Sequence, residues 1–378
     1  MSTRDRSGPV ATVFRPALER LAAHQPPAVP AEQERPCRLA ANESPYAALP
    51  EVRQAITAAS ELAHRYPDTG CGEVIEEISG RLGVPPGDIV VGAGSIGVLH
   101  ALVAITCEPG TDVVFAWPSF EAYPTLVLLS GATPVAVPLR DGVHDLAAMA
   151  AAVTARTRLV VVCNPNNPTG TVVGRHDFDR FLGGVPEHCL VVVDEAYRDY
   201  SAEADTPDGL LLYRDWPNVV VLRTFSKAHG LAGLRIGFLV GHAAVCSAVR
   251  KAQVPYAVSR LAQAAAVASL RSSSEVSRRV HRVVAERTRV RQTLLERGWP
   301  VPPAHGNFVW LPVGGAAGGF ATACLEAGVC VRCFPGEGVR VSIGTPPDND
   351  RFLEVARQYQ AESAIHPHTE QRPRRIGK

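Results

Sequence analysis

From about residue 88 the chain alternates short, almost wholly apolar runs with longer helical patterns. This alternation restricts the chain to one class of fold. The runs cover 88–92, 112–117, 133–138, 158–163, 189–194, 219–224 and 236–240. Their apolar character is continuous rather than alternating, as in strands buried on both faces of a sheet. Joined by helices, they predict an α/β fold with a mostly parallel seven-stranded sheet in a large domain. After it, the Ala- and Arg-rich stretch 259–297 reads as helix. Short strands over 307–310, 329–332 and 339–343 around one more helix predict a smaller α+β domain. A chain of 378 residues outgrows one simple core. The expected division is a large domain over 36–265, a small domain from the arm 1–35 plus 266–365, and a disordered tail over 366–378.

Ligands of such sheets sit beyond the carboxyl ends of the strands, so the residues after each run are the candidates for chemistry. The first run leads into Gly92-Ala93-Gly94-Ser95-Ile96-Gly97. This matches the dinucleotide fingerprint, but the next run ends Phe115-Ala116-Trp117-Pro118, without the acid that fingerprint needs for a ribose. What remains is a turn of small residues whose N–H groups can face a phosphate, or a plain tight turn. The fourth run ends in Asn164-Pro165-Asn166-Asn167-Pro168-Thr169-Gly170, a loop fixed by its prolines and rich in amides. The fifth ends at Asp194, after four apolar residues. It is either a helix cap or a buried carboxylate that needs a cation. The sixth ends Thr224-Phe225-Ser226-Lys227.

Composition singles out that last residue. Of the 38 basic residues only Lys227, Lys251 and Lys378 are lysine. A chain that uses arginine for ordinary charge retains lysine where an amine must lose its proton and act as a nucleophile. The simpler reading of Lys227, a solvated loop lysine, sits poorly with its small and apolar flanks.

Other classes are excluded or left without support. The formal charge of +1 gives no electrostatic case for nucleic acid or an anionic membrane. No apolar window has membrane-spanning length, and the first residues lack a signal-peptide core, so a cytoplasmic location is expected. Nine scattered cysteines predict reduced thiols rather than a disulfide framework. Cys330-Val331-Arg332-Cys333 lacks a second pair at zinc spacing, and no metal is expected.

In order and spacing, Asn167-Pro168-Thr169-Gly170, Asp194-Glu195-Ala196-Tyr197 and Ser226-Lys227 followed by Arg235 resemble the fold-type I pyridoxal 5′-phosphate (PLP) aminotransferases. The resemblance runs from about Leu39 to about Phe352 and is to the histidinol-phosphate aminotransferase-like group. The segments Arg65-Tyr66-Pro67-Asp68, Ser119-Phe120-Glu121-Ala122-Tyr123-Pro124 and Asn307-Phe308-Val309-Trp310 are most similar to its aromatic, phenylalanine-type branch. The resemblance implies transfer of an amino group between an L-amino acid, with an aromatic or modified aromatic side chain favoured, and a 2-oxo acid, by a ping-pong route. Lys227 would form the internal aldimine and shuttle the proton at Cα. Asp194 would pair with the pyridine nitrogen, Asn167 and Tyr197 with the phenolic oxygen, and Phe120 would stack on the ring. Gly94, Ser95, Ile96, Ser226 and Arg235 would hold the phosphate. Tyr66 would reach the phosphate of a neighbouring subunit, which implies a homodimer with shared sites. Arg340 would clamp the substrate carboxylate, and Asn42 and His24 would border the substrate.

The sequence also departs from that family. His229 stands where Tyr or Phe is usual, His24 where the arm carries a tyrosine, and His305 lies just before Asn307. Three histidines around one expected pocket imply some polarity there. Three alternatives follow. Histidinol phosphate is an alternative substrate, because Arg332 lies where the family reads a phosphate. A PLP decarboxylase would use the same residues. A nicotinamide dehydrogenase would be built on 92–97.

Overall fold

The computed structural model describes residues 17, 19, 21, 36–201 and 206–365. His24, most of the expected arm and the expected tail lie outside the described residues. The strands, in chain order, are β1 (Cys37–Arg38), β2 (Ile89–Gly92), β3 (Asp112–Trp117), β4 (Thr133–Pro138), β5 (Thr157–Cys163) and β6 (Leu190–Asp194). They continue as β7 (Val219–Thr224), β8 (Gly237–Val240), β9 (Phe308–Leu311), β10 (Val329–Cys330), β11 (Arg332–Phe334) and β12 (Gly338–Ser342).

Seven of them form one sheet in the order β2-β8-β7-β6-β5-β3-β4. Strands β7, β6, β5, β3 and β4 run parallel, each reached through a helical crossover. The link from β7 to β8 contains only the short turn Ala232–Leu234, and β8 is antiparallel to both of its neighbours. A parallel neighbour needs a longer crossover, usually a helix, so this connection returns the chain in the opposite direction. Successive side chains of the central strands enter two separate cores. Val160, Val162, Val191 and Val193 pack on one face, and Leu159, Val161, Val192 and Val220 on the other. This is why those runs read as continuously apolar. Strand β4 is the exception: it forms the sheet edge, carries Pro134 and Pro138, and buries only Val137. Proline is tolerated there because an edge strand has one side without ladder bonds.

The stretch read as one long helix is two, Arg260–Arg271 and Ser273–Glu296, broken at Ser272. The Ser259 hydroxyl accepts from Ala262 N and caps the first. The expected strand over 329–332 also divides. Val329 and Cys330 pair with Cys37 and Arg38, whereas Arg332–Phe334 joins an antiparallel sheet in the order β11-β12-β9. Leu39 bridges the two, donating its N–H to Cys330 O and accepting from Ser342 N. This tie carries Ala40, Ala41 and Asn42 to the edge of the large sheet. Among the described residues no helix is long and apolar enough to cross a membrane. All nine cysteines are free thiols, and eight of them are buried.

Candidate active site

The site forms where the carboxyl ends of the central strands coincide. Register places Cys163 opposite Asp194 and Asp194 opposite Leu222. Thr224 stands opposite Gly237, which in turn stands opposite Gly92. A cleft of about 240 Å³ opens at this edge.

One end of the cleft is built for an anion. Helix Gly94–Thr106 begins without a side-chain cap, and Ser95 and Ile96 of its first turn line the cleft. Uncapped first-turn N–H groups attract negative charge. Gly94 has φ +74°, a conformation that favours glycine, and a Cβ there would fall 2.7 Å from the Arg235 guanidinium, which would have to shift. Arg235 Nη1 donates to Ala232 O at 2.9 Å and to Ser226 Oγ at 3.4 Å, and both Arg235 and Ser226 line the same end.

Asp194 also lines the cleft. Its Oδ2 accepts from the Tyr123 hydroxyl at 2.7 Å and its Oδ1 from Ala196 N at 3.1 Å. Burial raises its pKa above the ordinary carboxylate value, and the two hydrogen bonds oppose that shift. No ion pair reaches it among the described residues, so a buried carboxylate lacks a contacting cation. Its neighbour Glu195 points the other way. There it accepts from Arg223 at 2.8 Å and from Gly209 N at 2.8 Å, which makes it a buried structural brace.

The Lys227 amine donates to the carbonyls of Ala41 and Asn42, each at 3.1 Å. Burial, then the charges of Arg340 and Arg235, lower its pKa to about 7, with Glu43 and Asp194 opposing. The two carbonyls are presented by an unusual turn. Asn42 is left-handed, at φ +53°, a conformation asparagine tolerates better than most residues. Ser342 secures it, accepting from Asn42 N at 2.8 Å and donating to Asn42 Oδ1 at 2.9 Å. Asn42 Nδ2 donates to the Tyr197 hydroxyl at 3.0 Å, and Asn307 Nδ2 donates to Asn42 O at 3.1 Å. Burial lifts the Tyr197 phenol to about 12, and its ring meets Phe308 edge-on. Phe120 and Asn167 complete the lining, and the Phe120 ring packs edge-on to Tyr123.

Arg340 lies behind Asn167. Its Nη1 donates to Asn167 Oδ1 at 2.6 Å and its Nη2 to Ala40 O at 2.5 Å, while its buried Nε has no hydrogen-bond partner. Burial lowers its pKa. Arg332 is engaged differently, paired through both Nε and Nη2 with Glu121.

Nine of the expected residues therefore share one cleft: Ser95, Ile96, Phe120, Asn167, Asp194, Tyr197, Ser226, Lys227 and Arg235. Gly94, Asn42 and Arg340 stand directly behind it. Tyr66 does not reach the cleft of its own chain: it is 76% exposed and stacks on Tyr256 at 4.5 Å. The grouping of histidines around one pocket is corrected for His229. Its ring turns to Ser269, with Nδ1 to Oγ at 2.7 Å, and it lines a separate cavity beside Arg81 and His281. Its strand end faces two cavities, and position in sequence cannot tell which one the side chain enters. His305 donates its main-chain N–H to Gly170 O, behind the 164–170 loop. Sequence reasoning assigned no role to Tyr123, Glu121, Ala41 or Glu43. Tyr123 lies three residues beyond Phe120, at the start of helix Ala122–Ser130, and its N–H closes the turn onto Phe120 O at 3.0 Å.

These features fit PLP: an anion cradle that a Cβ would fill, a buried carboxylate without a contacting cation, and an amine near neutrality between them. Comparison with known proteins agrees. Residues 35–355 match the family described as aminotransferase class I and II. The chain is 58% identical over 325 residues to an aromatic amino acid aminotransferase of Thermobifida fusca, covering 86% of this chain and 90% of that one. It is 52% identical over 339 residues to one of Streptomyces coelicolor, covering 89% and 94%. Its fold is similar to that of the histidinol-phosphate aminotransferase of Sinorhizobium meliloti solved with PLP. The TM-score is 0.82 at 28% identity, over 92% of this chain and 98% of that one.

Proposed function

The chain belongs to the class I and II aminotransferase family, and from that premise we propose that it transfers the amino group of an aromatic L-amino acid to a 2-oxo acid at the cleft holding Lys227. The carrying observation is the half-buried Lys227 amine, lowered to about 7 between an anion cradle and Asp194. The 58% identity to an aromatic amino acid aminotransferase supports the substrate class.

PLP, when bound, supplies an electron sink for the charge that develops at the substrate Cα. Every other element of the chemistry is assigned to this chain. Ser95 and Ile96 N–H, Ser226 and Arg235 would hold the phosphate, with Gly94 keeping the cradle open. Asp194 would hold a proton on the ring nitrogen, and Tyr123 would fix the carboxylate that does so. Asn167 and Tyr197 would hydrogen-bond the phenolic oxygen, and Phe120 would cover one ring face and exclude water. Lys227 would anchor the cofactor and move the proton at Cα. The Ala41 and Asn42 carbonyls would aim its amine. Arg340 would take the substrate carboxylate, with Asn42 beside it.

A homodimer belongs to the same proposal. Tyr66 would leave its exposed stack to complete the phosphate end of a neighbouring subunit. The two-domain division at about residue 265 is also proposed, with helix Arg260–Arg271 joining the parts, and so is a cytoplasmic location. The nicotinamide reading of 92–97 is set aside, because Ser95 and Ile96 face the cleft of Lys227 and Asp194.

The test is a panel of amino donors given to the purified holoenzyme, with products identified by mass spectrometry. Phenylalanine or tyrosine should exceed histidinol phosphate in specificity constant. A tenfold win for histidinol phosphate, about 1.4 kcal/mol of transition-state binding, would reject the aromatic assignment. Release of CO2 in place of a 2-oxo acid would establish the decarboxylase alternative.

A further inference from the structure

We propose that Arg287 is a positioning residue for the transamination: it closes a circuit of hydrogen bonds around Asn42 and so fixes the turn that aims the Lys227 amine. The inference rests on the reading of Lys227 as the residue that moves the proton at Cα.

Arg287 lies on helix Ser273–Glu296 and is buried, with 6% exposure. Arg278, Arg279 and Arg289 of the same helix each pair with a glutamate, whereas Arg287 has no carboxylate partner among the described residues. Its Nη1 instead donates to two backbone carbonyls, Tyr200 O at 2.9 Å and Gly306 O at 2.8 Å. Burial, then the charge of Arg291, lower its pKa to about 10, so it stays charged near neutrality. A buried cation answered only by carbonyls costs more than an apolar side chain of similar volume. Stability alone does not account for an arginine at this position. The two carbonyls that it joins do.

Those carbonyls belong to segments that reach the cleft from different sheets. Tyr200 ends the turn Arg198–Tyr200 after β6, and its N–H bonds Tyr197 O at 3.0 Å. Gly306 stands just before Asn307 and β9. Both segments then converge on one residue. Asn42 Nδ2 donates to the Tyr197 hydroxyl at 3.0 Å. Asn307 Nδ2 donates at 3.1 Å to Asn42 O, the same carbonyl that accepts from Lys227. Arg287 and Asn42 are thus opposite corners of a closed ring, and the second corner holds the lysine. A Cβ on Gly306 would fall 2.4 Å from the Phe308 ring, which meets Tyr197 edge-on at 5.0 Å between centroids. Phe308 therefore spans from one arm of the ring to the other. Without Arg287 the arms lose their tie, and a shift of either is passed to Asn42 and its carbonyl. Misplacing a reacting group by about 1 Å can cost about 10²-fold in rate. Arg340 is held separately, through Asn167 and Ala40, so substrate binding should be spared.

The experiment compares Arg287→Met and Arg287→Lys with wild type as folded, cofactor-loaded enzymes, with phenylalanine as donor. Arg287→Met should lower kcat by about 10- to 100-fold while KM moves by less than about threefold. Arg287→Lys should recover most of the loss, because an ammonium can donate to both carbonyls from one nitrogen, as Arg287 does. The Arg287→Met apoenzyme should also capture added PLP at about pH 8 at least about threefold more slowly than wild type, a rate that a purely stabilising residue would not move. Should Arg287→Met not fold, Arg287→Gln, which shortens the side chain and removes the charge, is read by the same split. A kcat within about threefold of wild type in the folded variant, unslowed capture, or an equal loss in Arg287→Lys overturns the proposal. Borohydride labelling at Lys251 in the wild-type holoenzyme instead overturns the reading of Lys227 on which it rests.

Discussion

The Tyr123 hydroxyl donates to Asp194 Oδ2 at 2.7 Å, and both residues are buried. This contact joins the helix after β3 to the end of β6 across 71 residues of sequence. It holds the one buried carboxylate in the cleft at a fixed angle, and it favours the ionised form that burial opposes.

Asp194→Asn should therefore retain PLP while turnover falls by roughly 10²–10³-fold, since an amide cannot hold a proton on the ring nitrogen. Tyr123→Phe should act in the same direction but less severely. It loses one hydrogen bond to a charged group, about 1.5–3 kcal/mol. Cofactor retention by absorbance and steady-state turnover check both. Near-normal turnover in Asp194→Asn would reduce Asp194 to a helix cap.

Lys227 gives a pH prediction with a definite sign. Its amine is protonated below about pH 7 and free above it, because the folded pKa is lowered from 10.5. Capture of added PLP by the apoenzyme should accelerate as pH rises through 7 and level off well below 10.5. Stopped-flow absorbance from pH 5 to pH 9, all approximate limits, would show this. A midpoint near the ordinary lysine value would contradict the cleft's electrostatics.

Borohydride reduction of the holoenzyme should fix the cofactor to the peptide containing Lys227 and not to Lys251, which lies exposed in helix Ala243–Ala252. Lys227→Arg should lower turnover by roughly 10²–10⁴-fold or more, because arginine neither anchors the cofactor nor exchanges a proton near neutrality. Mass spectrometry locates the label, and labelling at Lys251 would refute the assignment.

Arg340→Gln should raise KM and lower kcat together, because the guanidinium both binds the carboxylate and orients Cα. A lost charge-assisted pair of about 2–3 kcal/mol corresponds to roughly 30- to 150-fold in kcat/KM. A KM effect alone would mean that Arg340 binds substrate without orienting it.

Tyr66 and Lys227 test the shared site. Mixed subunits carrying Tyr66→Phe and Lys227→Ala should regain activity on exchange, since one hybrid site holds both defects and the other neither. Verified hybrids without recovery would place both residues in one chain's site.

Much of this protein is legible along the chain. Valine-rich runs declare buried strands because each side chain, up or down, must meet a core, as Val160 through Val162 and Val191 through Val193 do. Scarcity of lysine points to Lys227, and strand ends point to Asp194, Asn167 and Ser95, because each signal is local. Partners are a different matter. Lys227 meets the Asn42 carbonyl across 185 residues, and Glu121 closes Arg332 across 211. Residue type states only that a charge or an amide needs a partner, whereas strand order and register choose which one. His229 shows the same division: its ring could have faced the cleft, yet packing against Phe225 and Ser269 turned it away. The sequence by itself determined the strands of the large sheet, the burial of all but the edge strand β4, and the chemical inventory at their ends, since these follow from periodicity and residue type. Only the tertiary structure decided which groups meet, since that depends on the strand order β2-β8-β7-β6-β5-β3-β4 and on a left-handed turn at Asn42 brought in by the small sheet.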